Sequence, residues 1–341
     1  MINVGIIGYG YWGPNLVRNF KEANNSRVTA VSDLNSSRLH LAGQQFPQLE
    51  LYPDYSEIIN DPEIGAVAIA TPVHTHFEIA LAALNAGKHV LVEKPMTQTV
   101  DQARILIDEA SRRNLTLMVD HTFIYTGAVR KIKSLVESGD LGKIYYYDST
   151  RINLGLFQHD VNVIWDLAVH DISILDHILG ERAVSVSATG ANHVPGAPEN
   201  IGYITLYFES GTIAHINVNW LSPVKIRRTL IGGSKQMIVY DDLEQSEKLK
   251  IYDTGITVTE TPADIHKLLI SYRTGDLWSP KLIDSEALQV EVEHFVACVK
   301  GEQQPLTGGE QGLEIVRILE AAMLWAHACV RIPPASSRIH H

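Results

Sequence analysis

Ile2-Asn3-Val4-Gly5-Ile6-Ile7-Gly8-Tyr9-Gly10-Tyr11-Trp12-Gly13-Pro14 is a β-branched apolar run, then glycines spaced G-x-G-x-x-G, then a proline suited to the first turn of a helix. The order predicts strand, tight turn, helix. In that arrangement Gly8 makes the turn, Gly10 lets backbone approach a pyrophosphate, and Gly13 lets the helix pack on the strand. The helix N-terminus adds unpaired N–H groups and a partial positive charge. Gly8, Tyr9, Gly10, Tyr11, Trp12 and Gly13 are therefore candidate dinucleotide-binding residues. Asp33 ends the next apolar run, where a carboxylate accepts hydrogen bonds from ribose hydroxyls. Its charge opposes a 2′-phosphate, so NAD is expected ahead of NADP. Arg38 is the nearby group that argues the other way.

Outward from this turn the same rhythm continues. Apolar runs at 4–7, 27–32, 66–70, 89–93 and 116–119 alternate with amphipathic helical patterns at 14–23, 36–45, 74–86 and 100–113. Nearly continuous apolar strands separated by helices make a parallel sheet covered on both faces. After residue 120 the pattern changes. A helix at 127–138, a strand at 143–151 and a helix at 163–179 precede alternating runs at 201–208, 212–220, 228–231 and 236–240. Residues 252–284 lack periodicity, and helices at 285–299 and 309–330 follow. The expected fold is α/β plus α+β. Residues 1–120 form a Rossmann dinucleotide-binding domain, 121–335 an α+β domain with an open, largely antiparallel sheet, and 336–341 a tail.

The 341 residues have room for two cores, and 45% hydrophobic against 20% charged residues describes a globular chain. Lys and Arg number 28 against 39 Asp and Glu, a net charge of -11 with no basic run, so nucleic acid is not an expected partner. The N-terminal residues lack a signal-peptide pattern, and no apolar run approaches the roughly 18 residues of a membrane span. A cytoplasmic location without membrane contact is expected. Cys298 and Cys329 show neither C-x-x-C nor Cys/His metal spacing and read as buried thiols.

Glu93-Lys94-Pro95 closes the strand at 89–93, and ligands of open parallel sheets bind beyond the strand C-termini. An ammonium there can hydrogen-bond a reacting hydroxyl and favour its alkoxide-like state. Asp166 and His170 are spaced i,i+4, which on a regular helix puts a carboxylate beside an imidazole and raises the basicity of its far nitrogen. Thr71, Pro72, His74 and His76 follow the strand at 66–70 and read as a cofactor loop and helix start, with no metal expected. Tyr125, Arg151, Asn153, Asn162 and Arg273 fall in segments placed near the cleft, and arginine among aromatics suits a phosphorylated or nucleotide-bearing sugar. The open sheet needs a cover, which predicts a homodimer or homotetramer.

Taken together, the glycine turn, Ala70-Thr71-Pro72-Val73-His74-Thr75-His76, the Ala86-Gly87-Lys88-His89-Val90-Leu91-Val92-Glu93-Lys94-Pro95 segment and Asp166-x3-His170 resemble the Gfo/Idh/MocA family of sugar and inositol oxidoreductases. The resemblance runs over essentially the whole chain and implies a Rossmann domain followed by an open-sheet α+β domain. By it, Lys94, Asp166 and His170 fall on the family's catalytic Lys, Asp and His, with His170 as base, Asp166 orienting it and Lys94 polarising the hydroxyl oxygen. Thr71 and Glu93 fall on the nicotinamide side of the cofactor site. Trp165-Asp166-Leu167-Ala168-Val169-His170 departs from members that carry glycines around the Asp and His. The stretches 151–155 and 160–170 resemble members acting at C3 of nucleotide-activated amino sugars. Inositol, free sugars and sugar phosphates are the alternative substrates, and an NAD-dependent glycoside hydrolase or a non-catalytic NAD-binding regulator are the alternative functions on this fold.

Overall fold

A computed structural model describes residues 1–155, 161–253, 255–258, 270–273 and 275–325. The first sheet has six parallel strands in the order β3-β2-β1-β4-β5-β6, formed by β1 (Ile2–Ile7), β2 (Ser26–Ser32), β3 (Glu50–Tyr52), β4 (Ala66–Ile69), β5 (His89–Glu93) and β6 (Leu117–Asp120). Helices α1 (Gly13–Glu22), α2 (Ser36–Gln45), α3 (Ser56–Asn60), α4 (Val73–Asn85) and α5 (Val100–Arg113) connect them. The order reverses between β1 and β4, and such switch points open a crevice at the strand C-termini. β3 and α3 escape sequence reading because three and five residues are too few to show a period.

The second sheet has eight strands in the order β16-β13-β12-β11-β7-β10-β9-β8. Its members are β7 (Ile144–Leu154), β8 (Ala183–Ala191), β9 (Ile201–Phe208), β10 (Ile213–Asn219), β11 (Leu221–Gly233), β12 (Met237–Asp241), β13 (Leu249–Tyr252) and β16 (Leu277–Trp278). All pairs are antiparallel except β7 with β10. A separate hairpin, β14 (Gly255–Val258) with β15 (Ile270–Arg273), lies in the stretch read as loop-rich. The unforeseen β8 is an edge strand of small and polar residues, where a period-2 apolar signal is faint.

Alternation fixes how this sheet is covered. On β9 and β10, Ile204, Leu206, Ala214, Ile216 and Val218 point inward against Val169, Ile172, Leu175 and Ile178 of α7 (Val169–Leu179), with α6 (Gly127–Glu137) completing the layer. Tyr203, Tyr207, Ile213 and Tyr146 stand exposed on the opposite face. The closing helices return to the first sheet: α8 (Ala287–Val299) packs Phe295 edge-to-face on Phe20 of α1 at 6.0 Å, and α9 (Gly309–Trp325) buries Val316 beside α5. No helix among the described residues is long and apolar enough to cross a membrane. Cys329 and the 336–341 tail lie outside the described residues.

Candidate active site

The glycine turn has the geometry its sequence requires. Gly8 has φ +98°, and a Cβ there would meet the Ala70 carbonyl oxygen at 2.5 Å. A Cβ on Gly13 would clash with the carbonyl of Gly8, so α1 can start this close to β1 only at glycine. Beside Gly10 the space holds only the Arg38 guanidinium, 3.6 Å from where a Cβ would sit. Asp33 is almost completely buried. Its carboxylate accepts from Tyr9 N–H at 2.7 Å and Asn35 N–H at 2.8 Å, with Arg38 Nη1 at 3.6 Å. The turn therefore fits a dinucleotide: an open glycine cradle at a helix N-terminus, with an anchored carboxylate at the edge. Tyr9 contributes backbone only, because its side chain packs in the core and its hydroxyl donates to Gln45. Tyr11 is exposed and stacks near Trp12, whose Nε1 donates to Asp120 at 2.6 Å.

Two loops meet at the end of β5. His76 is buried in α4, with Nδ1 2.9 Å from the Pro95 carbonyl and Nε2 2.8 Å from the Thr71 carbonyl, so one ring ties the Thr71-Pro72 loop to Lys94-Pro95. Burial pushes its pKa down. Thr71 Oγ1 accepts from Thr75, while Pro72 and His74 are exposed at the start of α4. Behind Lys94, Glu93 lies in register with Asp120 of β6, and Glu291 of α8 is wholly buried with neither carboxylate oxygen hydrogen-bonded. Burial, then the neighbouring Asp120, raises both Glu93 and Glu291 well above the ordinary carboxylate range. Among the described residues no group of His, Cys, Asp and Glu is arranged to hold a metal ion.

The helix expected over 163–179 does not run evenly. Residues Ile164–Ala168 form a π-type turn, its first N–H groups met by Asn162, before α7 begins at Val169. The wider turn rotates Asp166 away from His170, so the expected Asp166–His170 hydrogen bond does not form. Asp166 instead binds across the crevice: Oδ1 accepts from Lys94 Nζ at 3.3 Å and Oδ2 from Trp220 Nε1 at 3.3 Å, and Lys94 also donates to the Asp166 carbonyl at 3.1 Å. The His170 ring makes no hydrogen bond among the described residues and meets Phe123 edge-to-face at 5.0 Å. Burial first, then Lys94, Arg151, His121 and Arg227, hold its pKa well below the usual histidine value, so the ring is neutral at pH 7. His121, buried beside Lys94, is pushed down to about 3 by the same burial.

The expected substrate residues fare unevenly. Asn153 lies half-buried on β7. Arg151 is buried, pairs with Asp171 through Nε at 2.6 Å and lies over the Phe123 ring at 4.5 Å. Asn162 spends its side chain on Trp165 N–H, Glu199 and Met323. Tyr125 is buried toward α8, with its hydroxyl on Thr307 at 3.4 Å, so the Thr122–Tyr125 turn presents Phe123 to the site instead. The Arg273 side chain lies outside the described residues. Phe123, Trp220 and Arg227 were missed because only tertiary packing brings them here.

A Rossmann turn, a lysine at the end of β5 and a neutral histidine from the second domain define a nicotinamide-dependent oxidoreductase. The chain belongs to the Gfo/Idh/MocA family: residues 2–121 match its oxidoreductase, NAD-binding Rossmann fold and 129–239 its C-terminal domain. It is 27% identical to UDP-N-acetylglucosamine 3-dehydrogenase of Acidithiobacillus ferrooxidans over 94% of this chain and 95% of that one. It is 25% identical to myo-inositol 2-dehydrogenase of Thermotoga maritima over 91% and 92%. The fold superposes on the WlbA dehydrogenase of Bordetella pertussis, solved with NADH and UDP-GlcNAcA, with TM-score 0.78 at 19% identity, covering 95% and 96%.

Proposed function

We propose that this oxidoreductase oxidises a secondary hydroxyl, at C3, of a nucleotide-activated amino sugar. The observation that carries the chemistry is the Lys94–Asp166 pair just beyond β5, with His170 near enough for the ammonium to lower its pKa. Bound NAD supplies the hydride acceptor. Gly8 to Gly13 would hold its pyrophosphate, Asp33 its ribose, and Thr71 and Glu93 would line its nicotinamide end. Held neutral by burial and nearby cations, His170 takes the hydroxyl proton onto a ring nitrogen that no group among the described residues occupies. Lys94, fixed by the Asp166 carboxylate, hydrogen-bonds the same oxygen and stabilises the negative charge that grows there. Burial, then Asp120, pushes Glu93 toward its uncharged form, so it opposes that change less than an ordinary carboxylate would. Likeness to the UDP-N-acetylglucosamine 3-dehydrogenase supports the substrate class.

The test is a screen of UDP-, dTDP- and GDP-sugars against free sugars, sugar phosphates and inositols, read as NADH formed and sugar product identified. A 3-keto nucleotide sugar formed one-for-one with NADH is expected. Turnover of inositol alone overturns the substrate assignment, and release of free sugar without net NADH marks redox-assisted hydrolysis instead.

A further inference from the structure

Arg227 and Arg151 are direct cross-strand partners on β11 and β7. Like charges facing each other across a strand pair cost stability. A fold keeps such a pair when something else needs it. Both guanidiniums lean on one ring: Arg151 lies 4.5 Å and Arg227 5.6 Å from the centroid of Phe123, whose edge contacts His170. Their partners do not balance them. Asp171 answers Arg151, but Asp242 divides its charge between Arg227 Nη1 at 3.2 Å and Lys248 at 3.8 Å, leaving three cations against two carboxylates. Arg151 Nη1 is buried without a hydrogen-bond partner, and the Arg227 side chain is 33% exposed, so the pair has one buried and one reachable donor set.

We propose that Arg227, backed by Arg151 across the Phe123 ring, is the subsite that takes an anionic group of the substrate beside His170. The matching chemistry is a diphosphate or carboxylate on the sugar, which a guanidinium binds through paired N–H donors. This rests on the reading of the site as a sugar oxidoreductase and selects, within it, charged substrates over neutral polyols. Burial first and Lys94 next depress the His170 pKa, and Arg151 and Arg227 add to that effect, so the residues that recognise the anion also favour the neutral base.

The experiment titrates NADH-loaded protein with UDP, with glucuronate and with neutral N-acetylglucosamine by calorimetry, following NADH fluorescence to show that the cofactor stays bound. Wild type, Arg227→Gln and Arg227→Lys are compared at equal melting temperature. Expected is anion binding weakened at least about tenfold in Arg227→Gln, partly restored in Arg227→Lys and eroded by added salt, with N-acetylglucosamine unaffected. UDP against glucuronate separates a diphosphate from a carboxylate. Failure of both anions to bind wild type, or equal binding by Arg227→Gln, overturns the inference. If the anions depend on Arg227 while no nucleotide sugar yields NADH, the subsite stands and the nucleotide-sugar assignment falls.

Discussion

Replacing Asp166 with Asn tests whether this carboxylate acts through Lys94, which it contacts, or through His170, as the i,i+4 spacing suggested. The Lys94 Nζ to Asp166 Oδ1 distance is 3.3 Å, and the two side chains are only 18% and 22% exposed. Unit charges at that separation attract by about 5 kcal/mol at an effective dielectric near 20. Desolvation of both groups offsets part of this, so a double-mutant coupling of about 1.5–3 kcal/mol is expected. That coupling equals roughly 10–150-fold in kcat/KM. The assay is initial NADH formation by Lys94→Ala, Asp166→Asn and their double variant, beside a second cycle with His170→Ala. The Lys94 cycle should be strongly non-additive and the His170 cycle close to additive. Additivity in the first with coupling in the second would refute the assignment and restore Asp166 as the partner of His170.

Other outcomes follow from the same structure. Binding of NAD(H) should exceed that of NADP(H) by about tenfold, near 1.4 kcal/mol, because Asp33 faces the 2′-phosphate; equal affinities in a fluorescence titration would shift the weight to Arg38. Glu291 ionises less readily in the folded chain than in the unfolded one, so above the ordinary value of 4.5 ionisation favours the unfolded state. Native stability then falls as pH rises, by up to about 1.4 kcal/mol per unit until the folded pKa is reached. Glu291→Gln removes that slope, and its melting temperature should gain on wild type as pH rises above about 5; a constant gap contradicts the raised pKa. Tyr203, Tyr207, Ile213 and Tyr146 leave an apolar sheet face exposed, and light scattering should report a dimer or tetramer joined there, which Tyr203→Lys with Ile213→Lys dissociates. A wild-type monomer at micromolar concentration refutes the cover.

Sequence made the first domain legible because its signals are local. An apolar run, a glycine turn and a capped helix repeat at short range, and β5, α2 and α5 fall at their expected residues. Asp33 and Lys94 stand one residue beyond β2 and β5, the strand ends that the sequence reading used to locate them. What sequence could not carry was rotation. No proline or glycine within Ile164–Ala168 announces the π-type turn, yet that turn decides that Asp166 meets Lys94 rather than His170. The short 3₁₀ turn Thr122–Tyr125 is similar: with three residues per turn, residues two apart face different ways, so Phe123 enters the site and Tyr125 leaves it. Arg151 reads as a substrate ligand near the cleft until its strand is set against Asp171 of α7.

The most direct test combines purified protein, NAD and UDP-N-acetylglucosamine, with the sugar product identified by mass and NMR and His170→Ala as the paired variant. One equivalent of 3-keto product per NADH is predicted, with turnover in His170→Ala reduced about 10²–10⁴-fold while NAD binding persists. Undiminished turnover in His170→Ala, or no NADH from any nucleotide sugar while a neutral polyol is oxidised, contradicts it.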